Sequence, residues 1–348
     1  MNALLGIFYH AIGGFAAGSF YIPYSKVKNW AWEVYWLVGG FFAWILMPSL
    51  IVVLTVPDLG ILINSLNFGI IIWPYIFGLL WGIGGLTFGL TMRYLGVSLG
   101  MAMALGLTAA FGTIVPPIYY GHLNSMIEHP SGIVTMIGVF VSLIGITVSG
   151  KAGLMKDKEL PEAEKTEGVK EFDLKKGIIV AIFAGVMSAS FAFGIAAGKP
   201  IQRLTIELGI PELFSNSTTF LFIMAGGFTA NFFWCLPLTI KNKTLRDYTK
   251  KTDTPRLNNY FFSALAGITW YMQFMFYGMG TTKMGKVDFA SWSIHMAFII
   301  VFSTMWGLIL KEWKGSSKRT MRVVFLGLAI LILSTFIIGF GNYLQRFE

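Results

Sequence analysis

Long apolar runs recur along this chain and constrain its fold more than any other feature. A helix that crosses the hydrocarbon core of a bilayer needs about 20 apolar residues, and the sequence contains ten such runs. Only 12% of the 348 residues are charged, against about 25% in a soluble domain. Because lipid cannot satisfy backbone polar groups, the runs predict membrane-spanning helices. The predicted spans are 3–24, 33–56, 70–91, 96–118, 132–150, 177–197, 217–240, 259–280, 289–310 and 320–342.

One long polar segment divides the ten predicted spans into two sets of five. Residues 151–176 have the composition of a solvated linker, and they separate residues 1–150 from residues 177–348. An odd number of spans per half gives the halves opposite polarity in the bilayer, as in transporters built from inverted repeats. The expected fold class is therefore an all-α polytopic membrane protein with ten transmembrane helices in two inverted five-helix repeats.

Short similarities between the halves support a repeat. Gly13–Phe20 resembles Ala184–Phe191, and Trp81–Gly96 resembles Trp270–Gly285. Glycine and aromatic residues are common in any membrane helix, so short matches of this kind also arise without a repeat.

The basic residues predict the orientation of the chain. Cytoplasmic loops carry an excess of Lys and Arg, and one set of alternate loops holds nearly all of the 26 basic residues. This set is expected to be cytoplasmic, which places both termini outside. The net charge of +9 then follows from topology, and we expect no nucleic-acid partner. The exceptions on the other side are Lys199, Arg203, Lys283, Lys286 and Arg346.

Few ionisable residues fall within the spans, and each is a functional candidate because a charge is costly there. His10 lies in the middle of the first span, and His295 lies near the start of the ninth. Glu33 opens the second span and Asp288 opens the ninth, so either carboxylate is a candidate to bind and release a proton, and a histidine is a further candidate. Both carboxylates could instead stabilise a helix N-terminus, Arg93 could mark the cytoplasmic boundary, and the histidines could form structural bonds between helices.

Spacing groups several polar and aromatic residues on shared helix faces. Asp288, Ser291, Trp292 and His295 follow the helical repeat. A sugar presents hydroxyl groups at its edge and C–H groups on its faces, so amide, imidazole and aromatic side chains suit it. Trp36 could equally belong to an aromatic belt at the membrane interface. The predicted substrate-binding residues are His10, Trp36, Trp81, Gln273, Trp292 and His295.

The sequence lacks the short motifs of enzymes and metal sites. No hydrolase, phosphate-loop or zinc-protease motif is present, so we expect no catalytic residue. A single cysteine, Cys235, and the loose grouping of His122, Glu128 and His129 give no basis for a metal. A polytopic enzyme or sensor would need a catalytic constellation or a soluble domain. An exporter of amphipathic compounds remains an alternative because the chain is rich in aromatic residues.

Motifs along nearly the whole chain resemble those of one known family. The chain is similar to the bacterial L-rhamnose–proton symporters of the drug/metabolite transporter superfamily. This resemblance implies ten helices in two inverted repeats, a bacterial inner-membrane location, and uptake of L-rhamnose with a proton by alternating access. It implies no other cofactor and no obligate protein partner, while another sugar remains open. The motifs are "KVKNWAWE" (Lys26–Glu33), "WGIG" (Trp81–Gly84), "GLTMRYLG" (Gly89–Gly96), "FDLKKG" (Phe172–Gly177), "WYMQFMFY" (Trp270–Tyr277), "SWSIHM" (Ser291–Met296) and "LKEW" (Leu310–Trp313).

Overall fold

Helices make up all of the regular structure that is described for this chain. The computed structural model describes residues 3–95, 97–119, 121, 124, 127–159, 173–249 and 256–348. The α-helices are α1 (Ala3–Ser19), α2 (Tyr21–Tyr24), α3 (Trp32–Phe41), α4 (Met47–Thr55), α5 (Leu59–Ser65), α6 (Phe68–Leu95), α7 (Val97–Tyr119), α8 (Pro130–Glu159), α9 (Leu174–Ala197), α10 (Lys199–Glu207), α11 (Ser217–Lys241), α12 (Arg256–Thr281), α13 (Ser291–Ile309) and α14 (Lys318–Leu344). Short 3₁₀ turns cover Glu212–Phe214, Thr244–Tyr248, Gly285–Ala290 and Gln345–Phe347.

The predicted spans coincide with helices, and eight helical segments of the described chain are long and apolar enough to cross a membrane. Two predicted spans fall outside these eight. The apolar part of α7 is the shorter stretch Met103–Pro116, and α12 carries polar residues such as Asn259 and Gln273. The all-helical, polytopic prediction is thus confirmed in outline. Within the predicted linker, residues 160–172 lie outside the described residues, as does the side chain of Arg93.

The second predicted span is interrupted by a π-helical segment. Residues Phe42–Leu46 form this segment between α3 and α4. A π-turn shifts the register of the side chains that follow it, and such turns occur frequently at functional sites. Trp44 lies in the segment and is 2% exposed.

The chain folds into two compact units that each combine sequence from both halves. The first unit contains Met1–Phe15, Gly84–Ala192 and Gly280–Glu348, and the second contains Ala16–Ile83 and Phe193–Met279. The hydrophobic core of the first unit is centred on Met284, Ile294 and Ile338, with Ile7 and Phe298 packed around it.

In the first unit, α8 and α14 form a closely packed antiparallel pair. Both helices contribute two glycines to the interface, and a Cβ atom at any of these four positions would overlap the opposite helix. Small residues in this arrangement let helix backbones approach closely. The contacting pairs are Gly138 with Ile338, Gly145 with Leu331, Ser149 with Gly327, and Thr135 with Gly341.

Carboxylates tie both ends of this helix pair. Glu159, the last residue of α8, accepts hydrogen bonds from the Ser317 N–H at 2.7 Å and from the Ser317 and Thr320 hydroxyls at 2.6 Å. Glu348 follows α14 and accepts hydrogen bonds from the Ser131 N–H at 2.8 Å and its hydroxyl at 2.5 Å. Each carboxylate satisfies N-terminal groups of the neighbouring helix, where a negative charge is favoured.

Glu159→Gln is expected to lower the stability of the protein at neutral pH. The hydroxyls of Ser317 and Thr320 and the Ser317 N–H hold the pKa of Glu159 below its ordinary value of 4.5. A carboxyl group with a lowered pKa stabilises the folded state above its unfolded-state pKa, and this stabilisation is lost as the pH falls through the folded-state value. In thermal unfolding of the purified protein in detergent, Glu159→Gln should therefore melt at a lower temperature than the parent at neutral pH. This difference in melting temperature should shrink below about pH 4.5.

Glu207→Gln is the matched control for this prediction. Glu207 is exposed at the end of α10, and its substitution makes the same change in net charge. An equal loss of stability in both variants at neutral pH would contradict the capping role of Glu159.

In the second unit, α6 and α11 pack through glycine residues. A Cβ atom at Gly78 would overlap the backbone carbonyl of Ile223, and one at Gly226 would lie 2.7 Å from the Leu79 nitrogen. At one end of this unit, the short helices α5 and α10 pack together through a cluster that includes Leu62 and Leu204.

Candidate functional site

Two buried histidines of the first unit meet side by side. His10 comes from the middle of α1 and His295 from the first turns of α13, and both are at most 1% exposed. Their ring centroids lie 6.2 Å apart in an edge contact. Gly280 makes room for the pair, because a Cβ atom there would lie 2.7 Å from ring atoms of His10. The structure thus brings together two predicted binding residues that are far apart in sequence.

Trp292 fixes the start of α13 against neighbouring helices of the same unit. Its indole N–H donates to the Thr108 carbonyl of α7 at 3.0 Å, and its ring stacks on Phe191 at a centroid distance of 5.6 Å. Gly112 permits this approach, because a Cβ atom there would lie 2.5 Å from the indole nitrogen. Trp292 therefore fixes the first turn of α13, and His295 lies three residues further along this helix.

Further polar side chains lie near His295, on α13 and in the turn before it. The hydroxyls of Ser291 and Ser293 are buried, and within the described residues neither has a hydrogen-bond partner. Asp288 is half-buried in the 3₁₀ turn that precedes the helix. A buried hydroxyl without a partner is costly, so both serine hydroxyls are suited to receive a polar ligand.

Four tryptophans of the second unit form a cluster with Trp44 at its centre. The ring centroid of Trp44 lies 5.3 Å from Trp270, 6.0 Å from Trp36 and 6.2 Å from Trp81. Gly40 makes room for Trp44, since a Cβ atom there would lie 2.6 Å from its ring. The sequence prediction omitted Trp44, although its spacing of four residues from Gly40 and eight from Trp36 places all three on one helical stripe.

Hydrogen bonds orient Trp36 in this cluster. Its indole N–H donates to the Asn231 side chain at 2.9 Å, and the Asn231 amide donates to the Gly227 carbonyl at 2.8 Å. A Cβ atom at Gly227 would lie 2.6 Å from the ring of Trp81. Trp36 is thus held inside the protein by a specific contact. The sequence analysis missed Asn231, which is 3% exposed.

Gln273 lies next to the same cluster. It is 6% exposed, and its neighbour Phe274 makes an edge contact with Trp81 at 5.4 Å. Gln273 thus places a nearly buried amide beside the aromatic rings. The amide can therefore donate to and accept from an added ligand.

Glu33 is also in the second unit, where it is buried by the turn that follows α11. It is 1% exposed, and its Oε1 atom accepts hydrogen bonds from the Asn242 amide and the Thr244 hydroxyl, both at 3.0 Å.

The predicted residues thus form two groups, one in each unit. The first unit holds His10, Asp288, Trp292 and His295, and the second holds Glu33, Trp36, Trp81 and Gln273. Among the described residues, no three His, Cys, Asp or Glu side chains are placed to hold a metal ion.

Apolar helices long enough to cross a bilayer, with polar groups buried inside them, define a multi-pass membrane protein. The chain belongs to the L-rhamnose-proton symport protein (RhaT) family, whose family model matches residues 1–343. Curated relatives include the L-rhamnose-proton symporters of Yersinia pestis (strain Pestoides F) and Yersinia pseudotuberculosis serotype O:1b (strain IP 31758). Each is 38% identical over 345 residues, which cover 97% of this chain and 98% of the relative. Family membership makes the chain a transporter rather than an enzyme, as the sequence predicts.

Proposed function

We propose that this protein imports L-rhamnose together with protons by alternating access. The observation that carries this proposal is the similarity to L-rhamnose-proton symporters over 97% of the chain. Relatives that span the bacterial genus Yersinia support a location in the bacterial inner membrane. The proton is the coupling ion, and the transporter needs no other cofactor, no nucleic acid and no obligate protein partner.

The proposed topology has ten transmembrane helices in two inverted five-helix repeats. Residues 1–150 form the first repeat, residues 151–176 the cytoplasmic linker, and residues 177–348 the second repeat, with both termini outside. The α8–α14 pair supports this arrangement. These helices end the respective halves, run antiparallel, and cap each other with Glu159 and Glu348 in equivalent places.

The residues proposed to bind the sugar are His10, Trp36, Trp81, Gln273, Trp292 and His295. His10, His295 and Gln273 would hydrogen-bond its hydroxyl groups, because a neutral imidazole and an amide can each donate and accept. Trp36, Trp81 and Trp292 would provide apolar surface for its C–H faces and methyl group. The burial of His10, Gln273 and His295 supports this assignment.

Asp288 and Glu33 are the two carboxylates predicted to carry the coupling proton. We assign this step to Asp288, which is half-buried in the 3₁₀ turn directly before α13, the helix that carries Trp292 and His295. The hydrogen bonds of Glu33 with Asn242 and Thr244 suit it to a structural role.

Purified protein in liposomes should accumulate labelled L-rhamnose when the outside is made more acidic than the lumen. A proton gradient directed inward drives a symporter, so collapse of the gradient with an uncoupler should stop accumulation while leaving sugar exchange intact. Accumulation that ignores the gradient would contradict proton coupling. Uptake of another 6-deoxy sugar without uptake of L-rhamnose would contradict the substrate.

A further inference from the structure

The segment Lys28–Glu33, which leads into α3, is fastened to its neighbours in the second unit by side chains. The side chain of Asn259 in α12 forms two hydrogen bonds with the backbone of Lys28. Its oxygen accepts from the Lys28 N–H at 3.2 Å, and its amide donates to the Lys28 carbonyl at 2.8 Å. The following residue, Asn29, has a φ of 58°, so the chain turns sharply there. The Asp247 carboxylate then accepts from the Ala31 N–H at 2.9 Å, at the N-cap of α3.

Glu33 makes the third attachment. Its two donors, Asn242 and Thr244, lie in one tight turn after α11, in which Lys243 has a φ of 61°. A carboxylate oxygen has lone pairs for two donors, and both donors converge on the same oxygen, Oε1. Glu33 therefore holds the turn at residues 242–247 against the first turn of α3.

Aromatic rings close around these polar contacts. Trp30 makes an edge contact with Tyr260 at 4.8 Å and lies 6.3 Å from Tyr248, and the Tyr260 hydroxyl donates to the Tyr248 carbonyl at 3.0 Å. Burial, together with the nearby Tyr260, Cys235, Glu33 and Asp247, raises the pKa of Tyr248 to about 12. Tyr248 is thus neutral in the physiological range, and Glu33 and Asp247 are the acidic groups of this assembly.

We infer that Glu33 is a positioning residue that latches the 242–247 turn to the start of α3, and that transport depends on this latch rather than on a proton carried by Glu33. The inference rests on the proposed function in so far as sugar transport is one of its readouts. A carboxylate that carries the coupling proton loses its role when a side chain that cannot be protonated replaces it, whereas a latch needs only an acceptor atom in the same place. Glutamine supplies such an atom, because its carbonyl oxygen can occupy the position of Oε1 and accept both hydrogen bonds.

Three variants separate the two roles in liposomes loaded with the full-length protein. Glu33→Ala and the double variant Asn242→Ala/Thr244→Ala each remove both hydrogen bonds to Oε1. Each should therefore lower both gradient-driven uptake and gradient-independent exchange of L-rhamnose by about tenfold or more. Glu33→Gln should restore both rates to within about threefold of the parent, since only the charge assistance of the two hydrogen bonds is lost. It should also keep the parent dependence of uptake on the pH gradient.

Two results would overturn the inference. If the Glu33→Gln protein exchanges sugar but no longer accumulates it, the coupling proton belongs to Glu33. If the Asn242→Ala/Thr244→Ala protein takes up and exchanges sugar at the rates of the parent, the latch is dispensable.

Hydrogen exchange provides a readout that does not depend on sugar transport. Amide exchange of the peptide that covers residues 242–249 should be faster in Glu33→Ala than in the parent or in Glu33→Gln. Unchanged exchange in Glu33→Ala would contradict the latch even if the parent protein transported a different substrate. Failure of the parent to transport L-rhamnose, with faster exchange in Glu33→Ala, would instead contradict only the proposed substrate.

Discussion

His295→Ala is expected to abolish binding of L-rhamnose while the protein remains folded. The substitution removes a buried ring that contacts His10 and takes a donor and an acceptor away from the proposed sugar site. A site built to hydrogen-bond a polar ligand loses about 100-fold or more in affinity when such partners are removed, about 2.7 kcal/mol. Titration of the purified protein with L-rhamnose, followed by calorimetry, measures this loss directly.

His129→Ala serves as the control for this experiment. His129 lies in the bend before α8 and is only half-buried, so its removal should leave affinity unchanged. His10→Ala should weaken binding as His295→Ala does, and the double variant should be no weaker than either single variant, because residues in contact act as a unit. If the His295→Ala protein is folded and still binds L-rhamnose, the histidine pair serves only to pack α1 against α13.

Gly78→Ala is expected to destabilise the protein severely. A Cβ atom at this position would overlap the Ile223 carbonyl and lie 2.7 Å from its carbon atom, and a backbone atom cannot move aside as the end of a side chain can. The α6–α11 contact would have to open, which costs roughly 3 kcal/mol or more in a tightly packed interior. Thermal unfolding in detergent should show a lower melting temperature than for the parent. Size-exclusion chromatography of the purified variant should show a smaller yield of folded protein.

Gly85→Ala is the matched control on the same helix. Among the described residues, nothing lies within 4 Å of a Cβ atom at Gly85. Alanine favours a helix over glycine by about 1 kcal/mol, so this variant should be as stable as the parent or slightly more stable. Equal stability of Gly78→Ala and Gly85→Ala would show that α6 and α11 are less closely packed than the structure indicates.

The sequence was sufficient to place the long apolar helices, but it did not predict the short helices α5 and α10. Spans of about 20 apolar residues are long enough to dominate local detail, and helices such as α9 and α11 begin within a few residues of the predicted positions. The family resemblance and the transporter class are confirmed by the match over residues 1–343. The break at Phe42–Leu46 was not predicted, because one additional residue in a helical turn leaves no mark on an apolar run.

Residues of the candidate site were predictable one helix at a time. Spacing placed Trp292 and His295 on one face of α13, but it could not show that His10 of α1 would meet that face. The donors to Glu33 come from positions 209 and 211 residues away, and no local pattern connects them. The contact of Trp36 with Asn231 was hidden for the same reason, since it spans 195 residues. Roles of the individual site residues therefore stay predictions until the variants are measured.

The paired caps of α8 and α14 fix the length of these helices as well as their position. Each helix must be long enough to bring its capping carboxylate to the N-terminus of the other helix, so the two helices must match in length. A single inserted or deleted residue between Ser131 and Glu159 would rotate the rest of the helix by about 100°. The interface glycines would then face away from their partners, and one carboxylate would miss its cap. Away from these glycines, the two helices can thus accept a change of side chain more readily than a change of length.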